Sequence, residues 1–90
     1  MHSFIPIGFN NYVSVDEVEF MFAADAEKLR RVLKKMGLEK NSEMFCDATE
    51  GKPVKSCLVL KSGKVVASAL GAETLAKRFN GQNKEIEGNE

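Results

Sequence analysis

The chain has 90 residues, and its 13 basic and 13 acidic side chains give a formal net charge of zero. Its length fits one small domain, and 43% hydrophobic residues with balanced charge do not match a disordered chain. No apolar run approaches the roughly 20 residues of a membrane helix, and the first residues lack the basic and apolar regions of a signal peptide.

The small number of histidines and cysteines argues against a disulfide framework, a zinc site and histidine-based catalysis. His2 is the only histidine, and Cys46 and Cys57 are the only cysteines. Two cysteines do not make a disulfide framework, and no zinc-ligand spacing is present. A chain with one near-terminal histidine lacks the commonest general base. We therefore expect a cytoplasmic protein that is not an enzyme and has no cofactor, metal, membrane contact or small-molecule substrate.

Three short strands are predicted before residue 25. The first covers Phe4 to Gly8, and Pro6 confines it to a sheet edge or a strand start. After a turn at residues 9–11, a second extended stretch covers Tyr12 to Val15, and a third strand covers Val18 to Phe22. Alternation places three apolar side chains on one face of the third strand, namely Val18, Phe20 and Phe22.

An amphipathic helix is the clearest element of the sequence. Asp25 is a good N-cap and Gly37 is a natural residue to end the helix. Its apolar residues recur at helical spacing and are Ala26, Leu29, Val32, Leu33 and Met36. Its basic residues fall on the opposite face and are Lys28, Arg30, Arg31, Lys34 and Lys35.

The second half of the chain is predicted to hold three strands and a helix. The strands are Met44 to Ala48, Val54 to Leu60 and Val65 to Leu70, and the segment from Glu50 to Pro53 is predicted to be a hairpin tip. A short helix follows from Ala72 to Phe79. The polar residues 80–90 are expected to form a disordered tail.

This order of elements predicts an α+β fold, with a small, mostly antiparallel sheet, one amphipathic helix and a short C-terminal helix. Residues 1–79 are expected to form a single domain. Of the aromatic residues, most are expected in the core rather than on a nucleic-acid stacking surface: Phe4, Phe9, Tyr12, Phe20, Phe22 and Phe45. Asp47, next to Cys46, is interpreted as a turn former beside a structural thiol rather than as an acid–thiol pair.

The neutral net charge conceals a segregation along the chain. Residues 1–24 carry three acids and no base, whereas residues 25–40 carry six bases and three acids. Residues 41–79 carry six bases and four acids. A concentrated basic face can bind an anionic polymer because counterion release depends on local contacts. The alternative is a solvated basic helix face without a ligand.

Four stretches resemble the RemA family of small bacterial regulators, first known from the control of extracellular-matrix (biofilm) genes. Ile7 to Ser14 resembles the family opening INIGFGNxVS, and Asp47 to Lys52 resembles its DATYGRR segment. Ser68 to Phe79 resembles its SAxxPETxAxRL ending, and Asp25 to Gly37 resembles its helix. The likeness spans residues 4–79 in order and with nearly the expected spacing.

The resemblance implies a LytTR-like fold and a DNA-binding transcriptional regulator, without enzymatic activity, that acts as a ring-like homo-oligomer on double-stranded DNA. A DNA-contacting arginine of the family falls on Glu17, which reverses the charge. The family's arginine pair falls on Lys52 and Pro53, and a further basic position is kept as Lys55. Lysine neutralises phosphate but lacks the planar fork that reads guanine.

Two hypotheses follow from this pattern. In the first, the chain is a DNA-binding regulator, and its candidate contacts are Lys52, Lys55, Arg30, Arg31, Lys34 and Lys35. In the second, motivated by Glu17 and Pro53, it is an oligomeric protein-interaction or assembly module of the same fold with weak or no DNA binding.

Overall fold

The computed structural model describes residues 4–87 as six strands and two α-helices. These are β1 (Phe4–Gly8), β2 (Asn11–Ser14), β3 (Val18–Ala23), α1 (Ala26–Lys35), β4 (Phe45–Ala48), β5 (Ser56–Leu60), β6 (Val65–Ser68) and α2 (Ala72–Glu87). A single turn of 3-10 helix, Val15–Glu17, joins β2 to β3. The α+β class predicted from the sequence is confirmed.

β1 and β2 form an antiparallel two-stranded sheet with a tight turn between them. Phe9 and Asn10 both have positive φ, at 51° and 65°, which is the conformation of a two-residue type I′ hairpin turn. The Asn11 side-chain amide donates hydrogen bonds to the carbonyls of Gly8 and Phe9, at 3.0 and 3.1 Å. The turn predicted at these residues is therefore confirmed, and the asparagine side chain holds it closed.

The other four strands form a second sheet in the order β3-β5-β6-β4. β5 is antiparallel to both of its neighbours, and β4 runs parallel to β6. The prediction of a hairpin tip at Glu50 to Pro53 is therefore wrong. Both edges of β5 are occupied, by β3 and β6, so the connection from β4 has to cross the end of β6. The local turn is real, because Lys52 donates its N–H to the Thr49 carbonyl at 3.0 Å.

The face predicted for β3 is also wrong, because the strand contains a β-bulge. Its pairing with β5 shifts between Val18 and Phe20, and a bulge of this kind changes which side of the sheet the later residues occupy. Val18 and Met21 pack towards one core, Phe22 packs towards the other, and Phe20 is 59% exposed.

The four-stranded sheet has a hydrophobic cluster on each face. One cluster lies against the hairpin and α2 and includes Ile7, Val13, Leu58, Val66 and Leu75. The other lies against α1 and includes Ala24, Leu29, Leu33, Cys57 and Val65. The expectation that most aromatic residues are in the core fails for those with exposed rings: Phe4, Phe9, Tyr12 and Phe20.

Capping residues next to α1 set both of its ends, as predicted. The Asp25 carboxylate accepts the N–H of Lys28 at 2.8 Å. At the other end, Gly37 has φ of 71° and donates to the Lys34 carbonyl, while Leu38 donates to Leu33, which together form a Schellman motif. The buried stripe is narrower than predicted, because only Leu29 and Leu33 of the helix are buried; Ala26 and Met36 are exposed.

The last helix is longer than the sequence suggested. α2 continues to Glu87, where a short helix to Phe79 and a polar tail from residue 80 were expected. The segment has no proline to stop the helix, although its polar composition favoured a tail. Residues 88–90 of that tail lie outside the described residues. Neither α1 nor α2 has the length and hydropathy needed to cross a bilayer.

Candidate nucleic-acid interface

The basic face of α1 is exposed as the helical periodicity predicts. Because Leu29 and Leu33 pack against the sheet, the opposite side of the helix faces solvent. Its predicted contact residues are all exposed: Arg30, Arg31, Lys34 and Lys35. Arg31 has one weak ion pair with Glu27, at 3.7 Å between two well-exposed side chains. Such a pair contributes little to stability and leaves the guanidinium free to exchange partners.

The structure brings Lys55 to this helix. An open depression of about 430 Å³ lies between the beginning of α1 and the segment leading into β5, and its basic lining residues are Lys28, Arg31 and Lys55. The backbone of Lys55 is held from two sides, because its N–H donates to Ser68 at 2.9 Å and its carbonyl accepts from Ala24 at 3.1 Å. The lysine therefore projects from a fixed position.

A second depression extends the cationic surface along the helix. It is lined by Arg31, Lys34 and Lys35, so Arg31 belongs to both depressions. We name the surface that they form the cationic face, and its members are Lys28, Arg31, Lys34, Lys35 and Lys55. Lys52 and Arg30 are exposed but line neither depression.

Lys28 was missing from the predicted contacts, although it lies on the same side of the helix as Arg31. Its ammonium is 5.0 Å from the centre of the Phe22 ring, which is within the range of a cation–π contact. The sequence did contain a signal for it, because the spacing from Lys28 to Arg31 is one helical turn.

Besides Glu27, which pairs with Arg31, the acidic side chain of Asp25 borders the cationic face. Asp25 lines the first depression, and its hydrogen bond from the Lys28 N–H is the main reason that the pKa of its carboxyl group is lowered. The Asp25 carboxylate already accepts the Lys28 N–H, so an anion bound here would contact the side-chain cations rather than that backbone amide.

Glu17 lies at the other end of the sheet from Lys55. Its carbonyl accepts the N–H of Lys61 at 2.8 Å, directly after β5, whereas Lys55 directly precedes β5. Five residues of strand separate the two ends by about 17 Å. Lys61 thus lies beside Glu17, the position where the resemblance implies an arginine in the family, and nothing in the sequence indicated that it would.

Asp47 and Cys57 behave as structural groups. The Asp47 carboxylate accepts from the hydroxyl and the N–H of Thr49, at 2.6 and 3.0 Å, which confirms the interpretation of Asp47 as a turn former. Burial raises the pKa of the Cys57 thiol to about 11, so that thiol stays protonated at neutral pH.

Fold and surface together define a small α+β domain with a cationic face formed by α1 and Lys55. The chain matches the family model "RemA-like: Extracellular matrix regulatory protein A-like" over residues 4–79, the same residues over which its motifs resemble that family. The chain therefore belongs to the RemA-like family.

Individual relatives agree with this assignment. A protein of Lachnoclostridium phytofermentans is 36% identical over 90 residues, covering all of this chain and 94% of the relative. A protein of Dictyoglomus turgidum is 37% identical over 83 residues, covering 92% of this chain and 94% of the relative. Each carries the name "Putative regulatory protein", which is consistent with a regulatory role for this chain.

Proposed function

We propose that this protein is a non-enzymatic transcriptional regulator that binds double-stranded DNA in the cytoplasm as a ring-like homo-oligomer. The observation that carries the proposal is the cationic face, which joins Lys55 to the basic side of α1. Membership of the RemA-like family supports a regulatory role. The LytTR-like fold that the resemblance implies remains a prediction.

A duplex is a suitable ligand for this surface because its phosphates are numerous and regularly spaced. Each phosphate neutralised by lysine or arginine releases condensed counterions, which drives binding even when the protein has no net charge. Arg31 and Arg30 add planar guanidinium groups that can pair with two acceptors of guanine. The lysines of the face then position the protein on the backbone.

The separation of Glu17 from Lys55 supports an oligomeric mode of binding. The family's basic positions fall on Glu17 and on the segment from Lys52 to Lys55, which lie at opposite ends of the sheet. A single copy therefore does not combine Glu17 and the segment from Lys52 to Lys55 into one continuous DNA-binding site. In an assembly, neighbouring copies place several cationic faces along one duplex, and linked weak contacts give strong overall binding.

The first test measures particle mass and DNA uptake together. Gel filtration with light scattering, with and without a duplex of about 40 base pairs, or roughly four helical turns, is run at low and moderate salt. We expect a homo-oligomer that takes up the duplex and releases it as salt rises. Affinity that does not change with salt contradicts a phosphate-driven interface.

The second test asks whether the cationic face is the surface that contacts DNA. The double variant Arg31→Ala/Lys55→Ala removes two cations of the cationic face, and the slope of log K against log salt should become shallower by about 1.8. Lys40→Ala/Lys77→Ala removes two exposed lysines outside that face and serves as the matched control. Equal slopes for the two double variants contradict the assignment.

The assembly-module hypothesis is favoured by one specific observation, the acid at position 17. An oligomer that does not take up the duplex at low salt supports this second function. In that case Glu17→Arg, which restores the family's charge, is the variant to examine. Duplex uptake gained by Glu17→Arg would mean that the charge reversal is what weakens DNA binding in this chain.

A further inference from the structure

The first depression brings together cations from two separate parts of the chain. Lys28 and Arg31 lie on α1, whereas Lys55 lies on the segment that leads into β5. Arg31 also forms the weak ion pair with Glu27, which a stronger anion can replace. Asp25 contributes a carboxylate to the same lining. Three cations and one carboxylate leave the lining with a net of two positive charges.

Two of these cations are held in place without any ligand. The Lys28 ammonium lies 5.0 Å from the centre of the Phe22 ring, a cation–π distance. The backbone of Lys55 is fixed by its hydrogen bonds with Ser68 and Ala24. Groups that are already ordered lose less conformational entropy when a ligand binds. The depression is therefore partly preorganised for an anion.

The floor of the first depression is apolar. Ala24 is buried and Val54 is half-buried, and both belong to the hydrophobic cluster beneath α1. They line the depression beside its cations. Its volume of about 430 Å³ is larger than a phosphate group needs and lies in the usual range for small-molecule sites. The depression therefore offers apolar contact for an organic group next to positive charge for an anionic one.

The charge of the lining selects the kind of anion. A phosphate monoester carries a charge of about −1.5 to −2 at pH 7, which balances the net charge of the lining. Each phosphate of a duplex is a diester with one negative charge. The Lys28 N–H already donates to the Asp25 carboxylate at 2.8 Å, so the side-chain cations rather than the end of α1 would hold the anion.

We propose that the first depression is a binding site for a small organic phosphate monoester. Its phosphate group is held by Lys28, Arg31 and Lys55, and its organic group lies against Ala24 and Val54. Because Arg31 and Lys55 also belong to the cationic face, a bound monoester competes with the duplex and acts as an effector rather than as a substrate. This competition rests on the proposed function, whereas binding of the monoester does not.

The test titrates the whole chain with adenosine monophosphate as the probe, by isothermal titration calorimetry without DNA. Adenosine lacks the phosphate group, and cyclic adenosine monophosphate is a diester. We expect a dissociation constant of about 1 mM or lower for the monophosphate, because its contacts with the cations are charge-assisted. Cyclic adenosine monophosphate and inorganic phosphate should bind more weakly, and adenosine should not bind measurably.

Two variants of α1 separate the depression from the general charge of the helix. Lys28→Met removes a cation from the first depression, whereas Lys34→Met removes one from the second depression only. The dissociation constant of adenosine monophosphate should rise at least about tenfold for Lys28→Met. It should stay within about twofold of wild type for Lys34→Met at physiological ionic strength, where screening weakens distant charges. Both lysines are exposed, and circular dichroism checks that both variants fold.

The outcomes separate this inference from the proposed function. Adenosine that binds as tightly as its monophosphate, or equal affinities of the two variants, would overturn the site. A protein that takes up the duplex but binds neither adenosine monophosphate nor inorganic phosphate contradicts this inference alone. If the monophosphate binds with the expected variant pattern but no duplex is taken up, the site stands and the DNA-binding proposal fails. A duplex that saturating monophosphate does not displace overturns the competition.

Discussion

Ser68 connects the hairpin to the end of β6 through a hydroxyl group shielded from solvent. Its side chain is fully buried. The hydroxyl donates to the Ile7 carbonyl at 2.8 Å and accepts the Leu70 N–H at 3.0 Å. Ile7 lies where the pairing of β1 with β2 shifts, and a bulged residue is left without a partner strand. We therefore predict that Ser68→Ala strongly destabilises the fold.

The expected loss follows from counting the groups left without a partner. Alanine removes the donor for Ile7 and the acceptor for Leu70, and each unsatisfied buried group costs about 1–3 kcal/mol. The free energy of unfolding should therefore fall by about 2–6 kcal/mol, which lowers the melting temperature of a domain of this size by at least about 8 °C. The hydroxyl matters more here than the small volume change, because serine and alanine are nearly the same size.

Thermal unfolding followed by circular dichroism, at one fixed protein concentration, measures the effect. A fixed concentration is needed because self-association raises apparent stability by mass action. Ser62→Ala is the matched control, since Ser62 is exposed and its hydroxyl only accepts a long hydrogen bond from Lys64, at 3.4 Å. A Ser68→Ala melting temperature as close to wild type as that of Ser62→Ala would refute this reasoning.

Two further predictions concern single titratable groups. The lowered pKa of Asp25 means that its charged form stabilises the fold above the unfolded value of 3.8. Asp25→Ala should therefore lower the melting temperature at pH 7, and its difference from wild type should become smaller once the pH falls below about 3.8. Asp25→Ser should keep the helix cap but should not show this pH dependence. Cys46 is partly exposed, whereas Cys57 is buried and its pKa is raised. A thiol reagent at pH 8 should therefore modify Cys46 first. Fast modification of both thiols in the native protein would contradict the burial of Cys57.

The elements that could be predicted from the sequence are those set by adjacent residues. Both ends of α1 follow from Asp25 and Gly37, whose capping bonds span only a few residues. The hairpin turn follows from Asn10 and Asn11 in the same way. Helical periodicity also placed the basic residues of α1 on the solvent side, so most of the cationic face was accessible to sequence reasoning.

Strand pairing could not be predicted because it depends on residues far apart in the chain. The turn at Glu50 and Gly51 has the positive φ values of a hairpin turn, at 52° and 84°, yet the strands on either side of it do not pair. That Lys55 and Arg31 line one depression could not be predicted for the same reason, since the position of Lys55 depends on its backbone hydrogen bonds with Ala24 and Ser68. Local sequence does not encode these bonds.

The exposed aromatic residues show how composition can mislead. A small chain has few large apolar side chains from which to build a core, so nearly all of them are expected to be buried. Here the interior is filled instead by aliphatic residues such as Ile5, Leu58 and Leu75, so the rings of Phe4 and Tyr12 are left outside.

In the function proposed for this protein, the length of β5 bears on how assembly and DNA binding would be linked. Glu17 with Lys61 marks one end of that strand, and Lys55 marks the other. A heterologous contact brings unlike surfaces of adjacent copies together, whereas a single copy keeps these two ends about one strand length apart. The proposed assembly would therefore also set the spacing of the cationic faces of its copies. On this view the affinity for a duplex is a property of the assembly, and the modest charge of each copy is sufficient because it is repeated.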